Sequence, residues 1–118
     1  MKQVEHRWYA RPVFYVADIQ RSITFYVDLL GFQKQWHEAG GTGTVCQVHR
    51  SECEIILCQD ASRQDRCRLY VELTAEGLVA FRRELTERAV PSKQMWWGSD
   101  CIQVDDPDGN ELVLPLVG

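Results

Sequence analysis

The chain repeats itself, and the repeat fixes most of what it can fold into. Phe25 and Phe81 stand 56 residues apart, and so do Leu29 and Leu85. Each pair falls in a stretch with apolar residues at helical spacing: Ile19, Ile23, Tyr26, Val27 and Leu30 in the first, Leu78, Phe81 and Leu85 in the second. Asp18 and Thr74 are suited to cap these helices at their start, and Gly31 fits the position just past the end of the first. A strand precedes each helix, at residues 11–16 and 68–73, where aromatic, aliphatic and charged side chains alternate. Three short strands follow each: 32–37, 44–49 and 53–59, then 94–97, 100–104 and 111–116. The order βαβββ therefore occurs twice. One helix covers one face of four strands, so the other face must curve around a ligand, the second unit or another subunit.

The second signal is a turn near the end, Asp105-Asp106-Pro107-Asp108-Gly109-Asn110. Asp-Pro starts a turn, and Gly and Asn tolerate positive φ. Glu111 then begins an alternation that puts Leu112, Leu114 and Leu116 on one face.

Bulk properties exclude several classes. The chain has 118 residues, 45% apolar, which supplies a core for one domain, expected over residues 1–118 with modules at about 11–59 and 67–117. A formal charge of −4 and the lack of a basic stripe argue against nucleic acid or an anionic membrane as partner. No apolar run is long enough for a transmembrane helix, and residues 1–10 lack the apolar region of a signal peptide. The five cysteines are odd in number and form no Cys-x-x-Cys, which suggests reduced thiols in a cytoplasmic protein.

Two segments together resemble the vicinal oxygen chelate superfamily, the group of glyoxalases, bleomycin-resistance proteins and ring-cleaving dioxygenases. One runs from Val16-Ala17-Asp18-Ile19 through Ser22 and Phe25-Tyr26 to Leu30-Gly31-Phe32; the other is Asp106-Pro107-Asp108-Gly109-Asn110. The resemblance implies an α+β fold in which two βαβββ modules form open, barrel-like sheets, and a homodimer with ligand sites in its clefts. It also implies four positions at which metalloenzymes of the group carry His or Glu. They fall on Arg11, about Ile56, Arg68 (Cys67 if the register slips by one) and Val113. Two cations and two aliphatics do not hold Zn²⁺, Fe²⁺ or Mn²⁺, which take imidazole or carboxylate. Glu54, Glu72 and Glu111 each stand an even number of residues from one of these positions and so point to the same face, where a register error could bring them in as ligands, while His6, His37 and His49 lie away from these positions. No metal and no cofactor is therefore expected.

Members without the ligands resemble drug-binding resistance proteins, which sequester an antibiotic. The expected function is metal-independent binding of a bulky aromatic or peptide natural product, without catalytic residues. The alternative is a metal-dependent enzyme of the same superfamily: a lyase, isomerase, dioxygenase or thiol transferase. The expected lining of the cleft is Tyr15, Trp36, Cys46, Ile56, Tyr70, Trp96, Trp97, Ile102 and Val113. Rings offer stacking surface to a planar or cationic group, and drug-binding relatives carry a Trp-Gly pair like Trp97-Gly98. Each Trp and Tyr could equally plug the core or a subunit interface. Arg11, Arg68, Glu54, Glu72 and Glu111 share the same face and could pair with one another.

Overall fold

The computed structural model describes residues 8–116. Eight strands form two four-stranded sheets with the same internal order. The first holds β1 (Val13–Val16), β2 (Gln33–His37), β3 (Val45–Arg50) and β4 (Cys53–Gln59), arranged β1-β4-β3-β2. The second holds β5 (Arg68–Tyr70), β6 (Lys93–Trp96), β7 (Asp100–Asp105) and β8 (Glu111–Pro115), arranged β5-β8-β7-β6. In each sheet the first strand runs parallel to the fourth and the other pairings are antiparallel. The sheets are open, not closed barrels. The parallel pairing requires a crossover, and the helix supplies it in both modules: α1 (Ile19–Thr24) and α2 (Ala75–Glu87). Val117, the last residue assigned to the second module from sequence, lies outside the described residues.

The caps are those the sequence offers. Asp18 accepts from the amides of Gln20 and Arg21 at 3.0 and 3.2 Å, and Thr74 accepts from Gly77 N at 3.0 Å. Beyond Thr24 the first helix widens into a π-turn, Phe25–Leu29, which simple apolar periodicity does not predict. Tyr26 lies in this turn and is fully buried. Gly31 then reverses the chain at φ 75°. The Gly40–Gly43 stretch breaks β2 from β3 through an irregular helical turn, Glu38–Gly41, in which Ala39 and Gly40 have positive φ.

The helix-covered faces merge into one core. Phe14, Val16, Ile55 and Leu57 from the first sheet, Leu112 and Leu114 from the second, and Leu78, Phe81 and Leu85 from α2 are all buried. Cys46 and Ile102 belong to this core as well, at 0% and 2% exposure. Their expected place in the cleft is thus corrected. Cys46 pairs with Leu57, and Ile102 with Leu114, and strand partners share a face.

Two polar joints hold the modules together. Arg50 at the end of β3 donates to Leu30 O at 2.7 Å and forks onto Glu84 of α2 at 3.1 and 2.9 Å, with its guanidinium 5.6 Å from the Phe81 ring. The other joint brings the two signature segments into contact. Asp106 Oδ1 accepts from the amides of Asp108 and Asn110 at 2.8 and 2.9 Å. Its Oδ2 accepts from Asn110 Nδ2 and from Tyr26 OH, both at 3.0 Å. Both oxygens act only as acceptors, so the bonded form is the carboxylate. Burial raises this carboxyl above its ordinary value against the pull of those donors. Burial first, and then the neighbouring Asp106 charge, push the Tyr26 phenol well above its own. Asp108 accepts from Ala17 N at 3.0 Å and Arg21 Nη2 at 3.2 Å, and Asn110 Oδ1 takes Cys67 N at 3.0 Å. The turn near the C-terminus is therefore seated on the start of α1, 80 or more residues away in sequence.

Candidate functional site

With the helices covering one face of each sheet, the strand registers assign the side chains of the other. On the helix-free face of the first sheet, Val13 pairs with Ile56, Ile56 with Gln47, and Gln47 with Trp36, forming one row across the sheet. Tyr15 lies in the next row, beside Cys58. On the second sheet the matching row is Tyr70, Val113, Gln103 and Lys93, and the next is Arg68, Glu111 and Asp105. The strand registers place Tyr15, Trp36, Ile56, Tyr70 and Val113 on helix-free faces, where Val113 is fully buried.

Trp97 follows β6 and joins the second row. Its ring lies 5.2 Å from that of Tyr70 at an interplanar angle of 50°, and Arg68 stacks 5.5 Å from its centroid. Both rings remain accessible, Tyr70 at 40% and Trp97 at 46%. Trp96 is different. It pairs with Asp100, one step out of phase with Met95. It is 71% exposed.

The charged residues do not form one network. Arg68 Nε donates to Glu111 Oε1 at 2.7 Å, while Gln103 Nε2 reaches Glu111 Oε2 at 2.9 Å and Asp105 Oδ1 at 2.7 Å. On the first sheet Arg11 donates to Gln47 Oε1, which also accepts from Trp36 Nε1 at 2.9 Å. Glu54 and Glu72 form no ion pair among the described residues. Arg63, from the linker between the modules, stacks 3.9 Å over the Tyr15 ring and pairs with Asp65 at 2.6 Å.

Two residues at the centre of these rows escaped sequence reasoning. Gln47 is 2% exposed and Gln103 4%, and each organises the polar contacts of its sheet. Glutamines inside short strands read as solvated positions. The available signal was their spacing of 56 residues, the period of the repeat itself.

A groove of about 580 Å³ lies elsewhere, between α2, β5 and the β3–β4 turn, with Tyr9 and Pro12 at its margin. Leu69, Val71, Phe81, Leu112 and Leu114 give it an apolar floor, and of the residues expected to line the cleft it contains Tyr70.

The four superfamily metal positions do not fit a divalent ion. Arg11 and Arg68 are cations, Ile56 and Val113 aliphatic, and Val113 is fully buried beside Tyr70. Glu111 does not replace them, since Arg68 and Gln103 occupy both its oxygens. Among the described residues no three His, Cys, Asp or Glu side chains come together as a ligand set. His6 lies outside the described residues. His37 Nε2 is bonded to Gly43 O at 2.8 Å, and His49 lies across from Glu54.

Paired βαβββ modules with one helix-covered and one helix-free face define the vicinal oxygen chelate fold. The chain belongs to the glyoxalase superfamily: the family described as "Glyoxalase superfamily protein" matches residues 5–115. No curated protein matches the chain at a significant level. Among solved structures, a bleomycin-binding protein complexed with bleomycin is 17% identical, with a TM-score of 0.71 over 95% of this chain and 100% of that one. A bleomycin resistance determinant encoded on the transposon Tn5 is 18% identical, with a TM-score of 0.71 over 92% and 96% of the two chains. A lactoylglutathione lyase from Agrobacterium tumefaciens is 15% identical, with a TM-score of 0.69 over 93% and 94%. At these identities the likeness concerns the fold. Among the described residues no helix is long and apolar enough to cross a membrane.

Proposed function

We propose that the chain binds and sequesters a bulky aromatic or peptide natural product, as an antibiotic-resistance or self-resistance protein, without a metal ion and without altering its ligand. The Tyr70–Trp97 pair carries this reading: two large rings set 5.2 Å apart on a helix-free face, in residues that are 40% and 46% exposed. Stacking on such surfaces supplies affinity for planar groups of varied chemistry. The open sheets accommodate a large ligand, and a second copy of the chain would complete the cleft as a homodimer. Likeness in fold to a bleomycin-binding protein supports a peptide antibiotic as the first compound to test. The free cysteines fit a reducing cytoplasm. The residues at the metal positions weigh against the enzymatic alternative.

Tryptophan fluorescence titration against aromatic and peptide antibiotics, beginning with bleomycin, tests the proposal. Saturable quenching that persists in EDTA supports it. A stoichiometric divalent ion that chelator removes, together with turnover of a substrate, would overturn it.

A further inference from the structure

The two helix-free faces carry matched arginines, but among the described residues only one of them, Arg68, has its charge answered by a carboxylate. Arg68 is paired with Glu111 at 2.7 Å. Arg11 meets no carboxylate within 4.0 Å among the described residues; its partner is the neutral oxygen of Gln47. Arg63, on the same face, is answered by Asp65 at 2.6 Å.

Arg11 is nevertheless held in place. Gln47 is 2% exposed, and its Oε1 accepts from both Arg11 and Trp36 Nε1, which fixes the direction of the amide. The Tyr9 ring lies 5.1 Å from the guanidinium carbon. One N–H of the guanidinium is spent on Gln47, and the rest of the fork has no partner among the described residues. Gln47 Nε2 makes no bond to a described residue either and adds a neutral donor alongside. Trp36, 40% exposed, offers a ring surface next to these donors.

We propose that Arg11, with Gln47 and Trp36, is an anion-recognition point: it takes a carboxylate or sulfonate borne by a planar aromatic ligand. A guanidinium fork fits a planar anion through two parallel hydrogen bonds, and the tryptophan ring takes the attached aromatic system. The inference rests on the cleft proposed above and adds to it the charge of the ligand. Glu54 shares the face, without an ion pair to Arg11, and opposes an incoming anion.

Isothermal titration of 2-naphthoate and its neutral counterpart 2-naphthamide tests the proposal in the full-length protein. Naphthoate binds the wild type about tenfold more tightly, the discrimination of one charge-assisted fork. Arg11→Met removes that preference, so that naphthoate and naphthamide bind the variant equally. Glu54→Gln keeps Arg11 in place and raises naphthoate affinity several-fold without affecting naphthamide. Equal binding of the two probes to the wild type, or a preference that survives Arg11→Met, overturns the inference while leaving the aromatic cleft intact. Failure of both probes to bind rejects the anion point and the cleft together.

Discussion

Tyr26→Phe deletes one hydroxyl from the buried joint between the two modules. That hydroxyl donates to Asp106 Oδ2 at 3.0 Å, and the two residues are 0% and 5% exposed. A hydrogen bond to a charged acceptor contributes about 1.5–3 kcal/mol. Asp106 keeps three other donors after the substitution, so its charge is not orphaned and the lower half of that range applies, about 2 kcal/mol. For a chain of 118 residues the entropy of unfolding is about 250 cal/mol/K, so the melting temperature falls by about 8 °C. Asp106→Asn places an amide nitrogen against existing donors and costs more. The double variant is less destabilised than the sum of the singles by about 1–2 kcal/mol, because both changes break the same bond. The effect also depends on pH. The folded Tyr26 pKa is raised above the ordinary 10.0, so its contribution is complete below pH 10 and is lost as pH rises toward the folded value. The gap between wild type and Tyr26→Phe therefore narrows above pH 10. Thermal and urea unfolding, followed by far-UV circular dichroism, measure all of this. A melting shift under about 2 °C, or strict additivity in the double variant, would refute the account of the joint.

Gly31→Ala forces a side chain into φ 75° and sets its Cβ 2.9 Å from Arg50 Nη1, so a loss of about 1–2 kcal/mol is expected in urea unfolding. Arg50→Met removes the fork onto Glu84, whose carboxyl is held below its ordinary 4.5 chiefly by hydrogen bonding from Arg50. A depressed carboxyl stabilises the fold above its unfolded pKa, and that stability is lost as pH falls through the folded one. The variant is accordingly less stable at neutral pH, and its stability falls less steeply below pH 4.5; an unchanged acid limb in pH-dependent melts would contradict this. Trp97→Ala weakens antibiotic binding by about 1–3 kcal/mol, roughly five- to 150-fold in Kd, with the melting temperature little changed.

Much of the fold is legible in the sequence because its elements carry local causes. Asp18 and Thr74 cap, Gly31 ends a helix, and Leu112 and Leu114 alternate with the positions between them. Faces were harder where both sides of a strand are apolar. Val45-Cys46-Gln47-Val48 contains no clean alternation, so only the pairing of Cys46 with Leu57 reveals that Cys46 belongs to the core. Ile102 is fixed in the same way by Leu114. The π-turn at Phe25–Leu29 follows no local propensity; within it Tyr26 meets a carboxylate 80 residues away. For Trp36, Tyr70 and Trp97 residue type left core, interface and cleft equally open, and strand register and the ring contact between Tyr70 and Trp97 give their places. Gln47 and Gln103 were not legible, because an isolated glutamine reads as surface until its neighbours are known to converge on it. The contact between the two signature segments, and its chemistry, required the fold.

Calorimetric titration of EDTA-treated protein with bleomycin, run beside Trp97→Ala, tests the central claim most directly. A metal-free aromatic cleft predicts saturable binding that chelator does not change and that the substitution weakens by at least about fivefold. Binding that appears only when a divalent ion is restored, or that is indifferent to Trp97, would contradict it.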